Sequence, residues 1–198
     1  MIQSIHLGHF KCFESVTLPL GGLTVFTGSN AAGKSSALQA LLLLSQTIRE
    51  SELQQQVLLN GRHIQMGVVS DVVDQLTSRH ACSIGIETRK QRHVWRLKGD
   101  RGDAALTIEG LSVADQNIDS PQGLISLMPQ GEDREVCTIL RGLNYVSAER
   151  SGPRDVYPLH EVASDHWVGS RGEYAASVLF QFRDFEVAAG LAFAGLPH

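Results

Sequence analysis

The sequence predicts an α/β fold in which short strands lead through a glycine-rich loop into one buried helix, followed by an antiparallel β region. Three observations carry this. Alternating apolar positions run through IQSIHLGHFKCFESVTLPLGGLTVFTG; Lys34 to Arg49 contains no Gly or Pro and is dominated by Ala, Leu and Gln; and Val57 to Gly110 returns to a β pattern broken by short polar links.

In chain order, strands are expected at about residues 2–8, 14–20 and 23–27, with the turn Pro19-Leu20-Gly21-Gly22 separating the last two. The helix that follows should make about four turns, and its Leu38–Leu44 face is wide enough to bury against a sheet. Asn60-Gly61 marks a turn. Val68 to Leu76 suits a short helix, and ACSIGIET, HVWRLKG and AALTIEG suit an antiparallel meander. Residues 111–135, rich in Asp, Gln, Ser, Pro and Gly, read as a surface loop with only LISLM to pack. LNYVSAE, Leu143 to Glu149, reads as another core strand, and Glu173 to Leu191 as a helical tail interrupted by Gly190. The expected organisation is a single unit with three parts, 1–56, 57–110 and 111–198.

At 198 residues and 42% hydrophobic, the chain can bury one substantial core. A formal charge of −4 argues against coating nucleic acid by bulk electrostatics, so any DNA contact must be local. Cys12, Cys82 and Cys137 are odd in number and widely spaced, which fits reduced, mostly buried thiols rather than a metal or disulfide framework. The longest apolar run, Ala40 to Leu44, is far short of the ~20 residues of a membrane span, and no secretory signal pattern opens the chain. A soluble, cytoplasmic chain is expected. No histidine pair has metal-ligand spacing with a supporting carboxylate, and no Ser or Cys sits in a nucleophile elbow.

GSNAAGKSS, Gly28 to Ser36, carries the chemistry. Gly28-Ser29-Asn30-Ala31-Ala32-Gly33-Lys34-Ser35 matches G-x-x-x-x-G-K-[ST] at every fixed position, between an apolar run and a helix. Small residues let backbone N–H groups turn inward around a β-phosphate. Lys34 supplies a compact cation for the β- and γ-phosphates, Ser35 a hydroxyl for Mg²⁺, and the helix its N-terminal dipole. Ser36 continues the loop. The chain lacks the Asn-Lys-x-Asp and Asp-x-x-Gly motifs of a guanine-nucleotide switch, so ATP is the expected nucleotide.

With this loop, IHLGHFKCFESVTLPLGGLTVFTGSNAAGKSSALQALLLLSQ resembles the amino-terminal lobe of SMC/RecF/OLD-type ABC ATPases, with His9 in place of the usual Asn before Phe10 and Lys11. YVSAERSGPR, Tyr145 to Arg154, and VGSRGEYA, Val168 to Ala175, resemble an OLD-like bacterial subgroup. The resemblance implies a P-loop NTPase fold of ABC-type head, with an antiparallel β-subdomain, that binds Mg-ATP and closes on a second head. It also implies a link to DNA transactions or anti-phage defence, through DNA or an effector protein. The chain contains no Ser-Gly-Gly signature and no Asp preceded by four apolar residues. The expectation is therefore an incomplete head that binds ATP without appreciable turnover until a carboxy-terminal half or partner completes it. A non-enzymatic, nucleotide-dependent assembly partner and a truncated fragment without independent function are the competing readings.

Other residues keep two readings each. Lys11 either reaches the nucleotide from the first hairpin or is a solvated lysine. Glu149 and Arg150 either present functional groups or pair to fix the Ser151-Gly152-Pro153 turn, with Arg150 and Arg154 as candidate phosphate or partner contacts. Arg89 to Arg101 holds six Lys/Arg against one Asp, which suits either a DNA-backbone patch or the solvated face of a strand.

Overall fold

The structure is a computed structural model that describes residues 1–50, 53, 55–73, 80–132, 134–157, 159 and 167–185. The chain divides into two compact units, Met1–Leu143 and Asn144–His198.

The first unit is mixed α/β. Its strands are β1 (Ile2–Phe10), β2 (Phe13–Pro19), β3 (Gln56–Leu58), β4 (Ala81–Thr88), β5 (Arg92–Lys98), β6 (Ala105–Val113) and β7 (Gln116–Asp119). They form one antiparallel sheet in the order β2-β1-β4-β5-β6-β3, and β7 also pairs with β6. Period-2 alternation sends one set of side chains inward. Register then aligns them into rows across the sheet: Leu7 opposite Ile84, Ile84 opposite Trp95, and Trp95 opposite Leu111. A bulge opposite Arg96 and Leu97 lets both Ile108 and Leu111 face the core.

Helix α1 (Lys34–Glu50) covers this inner face, with Leu41 to Leu44 buried. Leu38, expected on the same buried face, is 43% exposed, while its neighbours Ala37 and Ala40 carry the buried face through the first turns. Residues Ser45, Gln46 and Thr47 are also buried, and each finds a partner. Ser45 Oγ donates to Leu140 O at 2.7 Å, Gln46 Nε2 to Leu58 O at 2.8 Å, and Thr47 Oγ1 accepts the Leu58 N–H at 2.9 Å. These bonds pin α1 to β3 and to α2 (Glu135–Arg141).

Residues 111–119 do not form the expected loop. They complete β6 and the β6–β7 hairpin, whose two turn residues, Ala114 and Asp115, have φ of 47° and 65°. The LISLM segment is ordered: Leu124, Leu127 and Met128 are buried, and Trp95 Nε1 donates to Leu127 O at 2.9 Å. A 3-10 turn, Val69–Asp71, occupies the start of the expected short helix; Val73 bridges to Phe10 instead of continuing it, and residues 74–76 lie outside the described residues. Burial pushes the Cys82 thiol up to about 12 and raises that of Cys137, while Cys12 is exposed. Among the described residues no helix is long and apolar enough to cross a membrane.

Two expected strands are absent. Residues 23–27 pair with no strand, and Leu23 and Val25 are 86% and 70% exposed. Both edges of β1 are taken by β2 and β4, and the segment does not join β2, which ends the sheet. LNYVSAE forms no ladder; within the second unit its Ser147 N–H donates to a loop, Ser170 O, at 2.7 Å. Helix α3 (Ala175–Gln181) lies inside the expected helical tail, and residues 186–191 lie outside the described residues.

Candidate nucleotide site

Gly28 to Gly33 form the loop that enters α1. Gly28 (φ +150°) and Gly33 (φ +85°) adopt backbone conformations that L side chains rarely reach, so glycine is required where the motif demands it. Ala31, with φ 63°, takes the left-handed conformation with only a methyl group. Ser29, Asn30 and Ala32 are exposed along the rim.

Lys34 folds back across this loop, and its Nζ donates to Gly28 O at 2.8 Å and Ser29 O at 2.6 Å. The ammonium is thus held where oxygen acceptors converge, and phosphate oxygens are acceptors of the same kind but charged. Ser35 is exposed in the first turn of α1, with Ser36 beside it. That turn holds no acidic residue, so no carboxylate of the turn opposes an anion at the positive end of the helix. These residues fit Mg-ATP. Lys34 and the loop amides would hold the phosphates, and Ser35 Oγ would enter the Mg²⁺ shell.

The β1–β2 hairpin places a second layer against the loop. Its tip is bent by His9 and Lys11, with φ of 51° and 53°, and is anchored by the Lys11 N–H to Val72 O at 2.7 Å. Lys11 Nζ donates to Gln39 Oε1 of α1 at 2.9 Å. Burial lowers the Lys11 pKa, with Asp71 opposing. Lys11 is therefore not a freely solvated lysine but a partly buried one held on the helix of the site. The neighbours Cys12 and Phe13 lie against Gly33, and a Cβ added there would run into the Phe13 ring and would stand 2.7 Å from Cys12 Sγ. The sequence reading missed both. Their only local signal is their place at a hairpin tip beside Lys11.

Part of the basic run Arg89–Arg101 pairs with neighbouring carboxylates on the sheet and on α2. Arg96 pairs with Asp119 and Lys98 with Glu109, while Lys90 lies 3.5 Å from Glu135. The paired members Arg96 and Lys98 fit the solvated face of a strand.

In the second unit the two motifs YVSAERSGPR and VGSRGEYA bind each other. Ser151 N–H donates to Arg171 O at 2.8 Å, and the Arg171 guanidinium lies 3.5 Å from Glu149. Glu149 is thus paired with Arg171 rather than with its neighbour Arg150. Arg150 and Arg154 are exposed, and the Arg154 N–H donates to Tyr157 Oη at 3.1 Å.

The profile of the AAA ATPase domain matches residues 1–120, which hold the loop, α1 and the whole sheet. The chain belongs to this family. It is similar to the DNA replication and repair protein RecF of Limosilactobacillus fermentum, 29% identical over 93 residues, 46% of this chain and 25% of that protein. It is also similar to the OLD nuclease of Thermus scotoductus, 41% identical over 44 residues, 22% of this chain and 8% of that protein. The matches span a quarter or less of these relatives' own length. Membership makes the chain an AAA ATPase-domain protein, a family that implies nucleotide binding.

Proposed function

We propose that this chain is the nucleotide-binding portion of an ABC-type ATPase head that holds Mg-ATP through Gly28–Ser36 and needs further polypeptide for turnover. The observation that carries the binding is Lys34 Nζ bridging two loop carbonyls between Gly28 and Gly33, each in a conformation that favours glycine. In this reading Lys34 exchanges those carbonyls for β- and γ-phosphate oxygens, the loop amides face the β-phosphate, and Lys11 adds a second cation from the hairpin tip. Bound Mg²⁺ supplies charge neutralisation across the β- and γ-phosphates.

Support for completion by a carboxy-terminal half or a second head comes from the segment before the loop, where an apolar strand-like run is left with Leu23 and Val25 open. The link to DNA transactions or defence rests on the resemblance to RecF- and OLD-type proteins, with Arg150 and Arg154 as candidate contacts to phosphate or a partner.

The test is Mg-ATP titration and phosphate release by the purified chain beside Lys34→Ala at matched concentration. Wild type should bind, the variant should bind roughly tenfold to hundredfold more weakly, and phosphate release should appear only when a full-length homologous head is added. Identical titrations for the two proteins would refute the nucleotide site. A change in association alone on adding that head would favour a non-enzymatic assembly module.

A further inference from the structure

The β1–β2 hairpin tip is built against the phosphate loop rather than merely near it. Gly33 is buried beneath the Phe13 ring and Cys12 Sγ, and Lys11 reaches from the same tip to Gln39 on α1. The tip is fixed in turn by its backbone bond to Val72 and by the Phe10–Val73 bridge. Phe13 is half-buried and joins the core cluster, so its ring is anchored on one side while its far end rests on Gly33. Gly33 immediately precedes Lys34, and a shift of its backbone moves both an inward amide and the lysine. Sub-ångström placement of such donors is where oriented binding gains or loses its advantage.

We propose that Phe13 is a positioning residue for the phosphate loop: its ring clamps Gly33 and holds the loop in the shape that receives a polyphosphate. This rests on the ATP-site reading above. The clamp is specific in shape. Cζ is the ring atom nearest the position a Gly33 Cβ would occupy, so a para-hydroxyl points into the loop, whereas a shorter aliphatic side chain keeps cover without collision.

The experiment compares Phe13→Ala, Phe13→Leu, Phe13→Tyr and, as a control, Val16→Ala, a partly buried neighbour on β2 packed against the same core. Two quantities are read: the Kd for Mg-ATP, and amide hydrogen exchange over Ser29–Ser36 without nucleotide. Phe13→Ala and Phe13→Tyr should each weaken binding by about tenfold or more and speed exchange in the loop. Phe13→Leu should recover most of both, and Val16→Ala should lower the melting temperature while leaving both readouts at wild-type values. Matching Kd and exchange for Phe13→Ala and Val16→Ala would reduce Phe13 to ordinary core packing and end the proposal. If wild type itself binds no Mg-ATP, or binds it as Lys34→Ala does, the ATP-site reading falls. The exchange measurement then decides the clamp alone: faster loop exchange in Phe13→Ala only supports it, and equal exchange overturns it.

Discussion

Two apolar runs flank the phosphate loop and end in opposite environments. Behind it, α1 buries Leu41 to Leu44 between the sheet and α2; ahead of it, Leu23 and Val25 stand 86% and 70% exposed. Composition does not separate them. Their hydrogen-bonding needs do. A helix satisfies its backbone internally and asks its neighbours only for side-chain cover, which the inner face of the sheet supplies. A strand must find a second backbone, and residues 23–27 join neither β1, whose edges β2 and β4 occupy, nor β2 at the end of the sheet.

Truncating one side chain in each run should give the largest difference between them. Leu43, fully buried, should cost about 2–5 kcal/mol as Leu43→Ala. Val25→Ala should stay within about 0.5 kcal/mol, as surface changes do. Urea melts of both variants decide the matter: a comparable loss for Val25→Ala would mean that its segment is packed in solution.

The next effect lies in the loop itself. Gly33→Ala introduces a Cβ at φ +85° and drives it into Phe13. Strain of this kind costs roughly 1–3 kcal/mol, and a loop that relieves it by moving should also lose Mg-ATP. Normal melting and a normal titration for this variant would show that the loop adopts another backbone.

Legibility followed the same division. Helix α1 and strands β4 to β6 were readable because periodicity and composition decide them locally. The 23–27 and 143–149 runs were not, since an apolar stretch carries no sign of whether a partner strand exists. The β6–β7 hairpin was hidden for another reason. Its two-residue turn uses Ala114 and Asp115 at positive φ, where Asn-Gly or Asp-Gly would have announced it. At the site, Gly28 to Ser35 declared themselves through a motif whose mechanism is local. Phe13 and Cys12 act across a tertiary contact, and no spacing rule links position 13 to position 33.

A smaller effect is expected within α1. Ser45 is buried, and its Oγ donates to Leu140 O at 2.7 Å. Ser45→Ala leaves that carbonyl without this donor, for about 1–2 kcal/mol. The loss should appear in melts without altering Mg-ATP affinity, because the contact lies toward the end of α1 away from the loop. A changed affinity would mean that the far end of α1 is coupled to the phosphate loop.

The smallest effect concerns the outer face of the sheet, where His6 sits between Thr17 and Ser4. Its Nδ1 is 2.8 Å from Thr17 Oγ1 and its Nε2 is 2.9 Å from Ser4 Oγ; Ser4 Oγ in turn donates to Glu87 Oε2 at 2.6 Å. Because Ser4 spends its proton on Glu87, it accepts from Nε2–H, which leaves Nδ1 to accept from Thr17 in the neutral ring. Burial, then Arg92, lowers the His6 pKa from 6.5 against the opposing pull of Glu87. The Ser4 hydrogen bond is the main cause that lowers the Glu87 pKa from 4.5. Both groups therefore bind protons more weakly folded than unfolded, so each contribution is complete above its unfolded value and is lost as pH falls through the folded one. Melting temperature should decline in two steps on acidification, the first beginning near pH 6.5 and the second below 4.5. His6→Gln should shrink the first step and keep the second. A wild-type melting temperature that stays level from pH 7 down to the carboxylate range would show that the imidazole is no harder to protonate in the folded sheet than in the open chain.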